Sequence, residues 1–83
     1  MTETKLENLR FEIEELKARL AYALFERDLA AKKRLEALSI FDCRLMGARF
    51  ERYKYLAATL ETDLAELKIE IAQAQEAAWL AGI

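Results

Sequence analysis

Cationic and aromatic side chains alternate in the middle of the chain, between Phe41 and Tyr55. Arginines contact phosphates and aromatic rings stack on unpaired bases, so this segment is a candidate nucleic-acid surface. Arginine, tyrosine and phenylalanine are also enriched at the centres of protein–protein interfaces. We therefore expect a surface for a partner protein here, formed by Arg44, Arg49, Phe50, Arg52 and Tyr53. The alternative is RNA or DNA binding through Arg44, Arg49, Arg52 and Lys54.

Residues that could carry out catalysis or hold a metal are few. The sequence contains no histidine, and Cys43 is its single cysteine. A Cys–His nucleophile pair and a structural zinc site both need more such side chains. Carboxylates such as Glu66 and Glu70 lie one helical turn apart, which is typical of a solvated helix surface. We predict a non-enzymatic protein with no catalytic residue, no cofactor and no metal.

The composition is that of long α-helices. About two thirds of the chain is Ala, Glu, Lys, Leu or Arg, proline is absent, and Gly47 and Gly82 are the two glycines. Apolar stretches are much shorter than the roughly 20 residues that cross a bilayer. We therefore expect an all-α, soluble, cytoplasmic protein without a membrane partner. Its 83 residues are enough for one helical domain.

Apolar residues recur at alternating three- and four-residue spacings in two parts of the chain, as in the seam of a coiled coil. The first helix is predicted over about residues 5–40, after a capping box at Thr4 and Glu7, and the second over about residues 48–80. The predicted self-association seam consists of Leu6, Leu9, Ile13, Leu16, Leu20, Leu35, Leu38, Leu56, Leu60, Leu64, Leu67 and Ile71.

Charged residues interrupt the pattern between the two seams. A continuous helix would place Asp42, Arg49 and Arg52 on the apolar stripe, where their burial is costly. Ser39 is suited to cap a new helix, and Gly47 is suited to end one. We therefore predict a turn within residues 39–48 and a long antiparallel helical hairpin.

Two other architectures are compatible with the same sequence. One is a single unbroken helix of roughly 120 Å in a parallel dimer, which would act as a structural coiled-coil spacer. The other has three helices, with a further break at Arg27-Asp28, where the first stripe also meets charge.

A second apolar face lies opposite the first seam. Phe11, Ala18, Tyr22, Phe25 and Leu29 fall within about 60° of the helix surface. A lone pair of helices leaves such a face in water, and exposed apolar patches usually mark interaction sites. We therefore predict that two hairpins dimerise into a four-helix bundle. Phe11, Tyr22 and Phe25 either lie in its core or bind a different protein.

Charge divides the chain into three parts. Residues 1–28 carry 5 basic and 7 acidic side chains, residues 29–54 carry 7 and 3, and residues 55–83 carry 1 and 5. A hairpin collects the basic middle at its turn and both acidic ends at its open end, which favours an antiparallel homodimer. Trp79, near the open end, is a further candidate anchor for a partner protein. We expect a small regulator, adaptor or inhibitor of the kind that phages and mobile elements encode.

Overall fold

The chain folds as two long antiparallel α-helices joined by a short turn. The computed structural model describes residues 2–82 and the side chains of residues 4–82. Helix α1 spans Thr2–Glu36 and helix α2 spans Ile40–Ala81. The hairpin measures 66 × 15 × 13 Å, so it is a rod two helices wide. The predicted helical hairpin is confirmed, and both the unbroken helix and the three-helix arrangement are wrong.

The turn comprises residues 37–39, and its last residue caps α2. Ser39 has an extended backbone, with φ −128° and ψ 154°, and its Oγ accepts a hydrogen bond from the Asp42 N–H at 3.0 Å. This bond satisfies one of the backbone donors that the first turn of a helix leaves without a partner. The predicted capping of a second helix by Ser39 is confirmed.

The predicted boundaries of the helices are wrong by several residues. α2 begins at Ile40, well before the predicted start near residue 48, and α1 begins at Thr2, so Thr4 lies inside the first turn and does not cap it. Gly47 lies inside α2 and has no left-handed backbone. A Cβ at Gly47 would lie 3.5 Å from the Arg34 guanidinium carbon, an ordinary van der Waals contact, so neither the backbone nor the packing requires glycine there.

The start of α2 was predicted too late because the three-four repeat of α1 was extended through the turn into α2. A helix that starts afresh after Ser39 has its own repeat, which runs through Cys43 and Met46 toward α1. In that phase Arg49 and Arg52 are exposed, so their charges require no break in the helix.

Each helix presents one stripe of a three-four repeat to the other helix. One cluster joins Leu9 and Ile13 of α1 to Leu67 of α2. A second cluster, nearer the turn, joins Ala23 to Ala57 and Leu60. Ala23 and Ala57 are the most enclosed of these side chains, at 0% and 2% exposed. Small side chains at facing positions permit close approach of the two backbones, and the leucines fill the space on either side.

Burial follows the predicted seam except at three leucines. Leu35 is 89% exposed, Leu38 is fully exposed and Leu56 is 42% exposed. In α2 the repeat passes through Ala57, the neighbour of Leu56, which is buried. In α1 it passes through Ala30, which is also buried. The prediction followed large apolar residues and was therefore wrong where the seam position is an alanine.

Arg27 explains why the first seam changed phase in the prediction. The repeat continues from Ala23 through Arg27 to Ala30 without a break in α1. The guanidinium of Arg27 donates to Asp28 Oδ1 at 2.9 Å, with 34% of the arginine side chain exposed. A long aliphatic stem can lie along an apolar stripe while its charged end reaches water.

Leu60→Ala should lower the free energy of unfolding by about 2–5 kcal/mol, because it leaves a cavity beside Ala23 and Ala57. The matched control, Leu35→Ala, should change it by less than about 0.5 kcal/mol, because that side chain lies in water. Chemical denaturation followed by circular dichroism, at one protein concentration, measures both variants. Equal losses for the two leucines would contradict the observed seam.

Candidate interaction surfaces

The exposed apolar side chains of the hairpin include three groups, and others, such as Leu35, Tyr55 and Ile69, lie outside them. The outer ridge, on α1, consists of Phe11, Ala18 and Phe25. The tip, at the turn, consists of Leu38, Ile40 and Phe41. At the open end Trp79 and Leu80 are 68% and 56% exposed. Exposed apolar surface of this extent is typical of interaction sites.

The outer ridge is a straight line of residues that recur every seven positions. Phe11 and Phe25 are 71% and 63% exposed, and Ala18 between them is also exposed. The line is about 21 Å long at 1.5 Å per residue. It faces away from α2, because the buried Ile13 and Ala23 of the same helix point toward α2.

Charged side chains beside the ridge are paired within α1. Lys17 Nζ lies 3.3 Å from Glu14 Oε1, and Arg19 Nη2 lies 2.8 Å from Glu15 Oε1. Both pairs are exposed and span one helical turn, so each contributes only a few tenths of a kcal/mol, roughly, to helix stability. Their effect on the ridge is to leave its flanks nearly neutral.

Tyr22, on α1, packs against α2 of the same chain. Its ring meets the ring of Tyr53 edge to face, with centroids 6.3 Å apart and planes at 83°. The carboxylate of Glu26 and the neighbouring Tyr53 raise the pKa of Tyr22 above its usual 10.0, because a phenolate there would lie beside negative charge. Tyr22 is still 57% exposed, so its predicted partner-binding role stays a prediction.

The fold divides the basic and aromatic residues that the sequence analysis grouped together. Phe50 and Tyr53 are half-buried against α1, whereas Arg44, Arg49 and Arg52 are exposed. At 100° per residue, Arg49 and Arg52 lie about 60° apart, and Arg44 lies about 140° from Arg49. Phe50 and Tyr53 therefore do not share a face with the exposed arginines.

A shallow depression beside Tyr53 has a volume of about 20 Å³, room for about one water molecule. Carboxylate and cationic groups both line it, so it has no single charge. It is too small for a cofactor or for a large side chain of a partner. Its lining residues are Glu26, Leu29, Ala30, Lys33, Met46, Arg49 and Tyr53.

The tip was not predicted from the sequence as a surface. The predicted seam includes Leu38, and Phe41 marks only the start of the basic and aromatic segment. The signal that could have revealed the tip is the position of Ser39. Apolar residues on both sides of a helix cap lie at the end of a hairpin, where no facing helix covers them.

In the part of the chain that the structure describes, we looked beyond interaction surfaces for a metal site, a membrane-spanning helix and a reactive thiol. Among residues 2–82, no group of three or more potential metal ligands comes together. Neither described helix has a stretch that is both apolar enough and long enough to span a bilayer. Cys43 is a half-buried free thiol. Comparison with known proteins finds no family, no curated protein and no solved structure that matches this chain.

Glu26→Gln should lower the pKa of Tyr22 toward 10.0, because it removes the carboxylate that opposes the phenolate. The raised pKa means that the folded chain keeps this proton to higher pH than the unfolded chain. The resulting stability is present below pH 10.0 and is lost as pH rises through the folded pKa. Absorbance titration of the tyrosines measures the shift, and Tyr22→Phe identifies the signal. Identical titrations of Glu26→Gln and wild type would show that the carboxylate is not the cause.

Proposed function

We propose that this chain is a non-enzymatic protein-interaction module that binds through the outer ridge of α1, and that the ridge binds a second copy of the chain. The observation that carries the proposal is the exposure of Phe11 and Phe25, 71% and 63%, on the side of α1 opposite its partner helix. Aromatic side chains contribute much of the binding energy at interfaces, because each buries about 150–250 Å².

The outer ridge has the symmetry that a two-fold dimer requires. In such a dimer the same patch of each copy meets itself. Ala18 lies midway between Phe11 and Phe25 in the sequence. Two α1 helices that run antiparallel and cross at Ala18 place Phe11 of each copy beside Phe25 of the other. The small central residue permits close approach, and an aromatic pair closes each side.

Charge supports the same orientation. With the two-fold axis at Ala18, Lys32 and Lys33 of one copy lie within about one helical turn of Glu7 in the other. A parallel pair would instead align the basic residues of both copies. Each exposed ion pair contributes at most about 1 kcal/mol, so charge selects the orientation and apolar burial supplies most of the affinity.

The size of this contact favours a moderate affinity. The face of α1 is about 50 Å long and about 10 Å wide, so two copies would bury on the order of 1,000 Å² in total. That area is near the lower limit for specific interfaces, and we expect dissociation at micromolar concentrations. The four helices lie side by side, with both α1 helices in the centre. A square bundle would leave the ridge in water, because the ridge faces directly away from α2.

The proposed role of the dimer is to bind other proteins, as an adaptor, regulator or inhibitor does. The proposed contact leaves Trp79 and the exposed arginines of α2 outside the interface. These side chains are then available to a partner protein. Binding of RNA or DNA receives less support, because the net acidic residues 1–28 and 55–83 would repel a nucleic acid that extends beyond the turn.

Ala18→Lys and Ala18→Glu should each convert the dimer to a monomer, because a residue on a two-fold axis meets its own copy and like charges would be apposed. An equal mixture of the two variants should restore the dimer as a mixed species. Analytical ultracentrifugation over a range of concentrations measures the assembly state. Circular dichroism should show unchanged helicity, because Ala18 is exposed in the hairpin.

The control for this experiment is Ala65→Lys, another exposed alanine, which lies on α2. It should leave the dimer intact. A wild-type chain that stays monomeric at tens of micromolar, or a mixture of the two Ala18 variants that remains monomeric, would refute contact across the ridge.

Cys43 offers a direct measurement of orientation, since a spin label can be attached at this single thiol. In the antiparallel dimer the two Cys43 residues lie roughly 55–60 Å apart, because they are at opposite ends of the pair. In a parallel dimer they would lie less than about 35 Å apart, since neighbouring helix axes are about 8–10 Å apart. Pulsed electron paramagnetic resonance distinguishes these distances, and a short distance would contradict the antiparallel arrangement.

A further inference from the structure

We propose that the tip of the hairpin docks on the surface of an anionic lipid membrane. Leu38 is fully exposed, and Ile40 and Phe41 are each 75% exposed. They lie in the turn and directly after it, at one end of a rod only 15 × 13 Å in cross-section. A partner that buries three large apolar side chains at a convex end must have a surface that is complementary to that end or deforms around it.

Cations follow the apolar tip along both helices. Lys33 and Arg34 lie in the last turn of α1, and Arg44 lies one turn after Ile40 in α2. At 1.5 Å per residue they lie roughly 5–10 Å behind the tip. An apolar segment that enters the membrane interface is buried to about this depth, so the cations would reach the lipid phosphates. Each such cation strengthens binding to an anionic surface about fivefold.

The sign of the neighbouring charge separates the tip from the other exposed apolar surfaces. Residues 32–45 carry 4 basic and 2 acidic side chains. One of the two acids, Asp42, lies in the first turn of α2, where a carboxylate is favoured by the helix dipole. Trp79, in contrast, follows Glu76 and lies in a part of the chain with net negative charge. An anionic surface would therefore attract the tip and repel the open end.

The shape of the tip favours a membrane over a folded protein. A protein partner would need a groove that fits the end of this rod, whereas a lipid interface adapts to any convex apolar group. The prediction of no membrane partner rested on the absence of a stretch long enough to cross a bilayer. Docking by the tip needs no such stretch. The inference concerns the tip of a single hairpin and uses no residue of the outer ridge.

Co-sedimentation with lipid vesicles tests the inference. The wild-type chain should bind vesicles of phosphatidylcholine mixed with phosphatidylglycerol, and binding should weaken as salt rises. Phe41→Ser should weaken binding at least about tenfold, because it removes an aromatic ring from the interface. Arg44→Glu should weaken it about fivefold or more. Tyr55→Ser is the matched control for Phe41→Ser, and Lys68→Glu is the matched control for Arg44→Glu. Both controls should bind as wild type does, because Tyr55, which is 77% exposed, and Lys68 lie away from the tip.

Three results would overturn the inference: no binding to the mixed vesicles at low salt, equal binding to vesicles of phosphatidylcholine alone, or equal losses from Tyr55→Ser and Phe41→Ser. Circular dichroism of each variant confirms that the hairpin is folded. The dimer is assessed separately by ultracentrifugation without lipid. A monomeric chain that still binds vesicles would refute the proposed dimer and support the tip, and a dimer that ignores vesicles would do the reverse.

Discussion

Two helices can shield only the stripe along which they touch, and this constraint determines most of what the hairpin exposes. The enclosed side chains, such as Leu9, Ala23 and Leu67, all lie along that single line of contact. The stabilisation from hydrophobic burial scales with the apolar area removed from water, and a rod two helices wide buries little of it. Apolar residues elsewhere on its surface therefore need a separate physical explanation, and the outer ridge and the tip receive different ones.

The sequence was sufficient to predict the fold wherever large apolar side chains repeat without interruption. From Leu6 to Leu20 the spacing specifies both the helix and its buried face. Ser39 was identified as a possible helix cap, but the start of α2 was predicted near residue 48, too late in the chain. The prediction failed where alanine or arginine occupies the seam, as at Ala30, Ala57 and Arg27. These residues give no hydrophobic signal, and only contact with the facing helix shows that they are inside. The tip was missed for a different reason, because the exposure of its large apolar side chains depends on where the chain reverses.

Charge is separated along the rod, so its basic end and its acidic end attract partners of opposite charge. The turn and the open end lie at opposite ends of a rod 66 Å long, which is several times the Debye length of about 8–10 Å at physiological salt. Each end therefore interacts with its surroundings independently of the other. In an antiparallel pair each basic end lies beside an acidic end of the other copy, which reduces repulsion between the two chains.

The outer ridge is straight only because the seam is regular. An undistorted helix drifts about 20° for every seven residues, and a seam that repeats every seven residues removes this drift by supercoiling the pair. Positions seven apart on the outer side then stay in line as well. The line through Phe11, Ala18 and Phe25 continues to Thr4 on one side and Lys32 on the other, where polar side chains end it. Its limits are thus symmetric about Ala18, so the repeat that holds α1 against α2 also determines where a second copy can meet it.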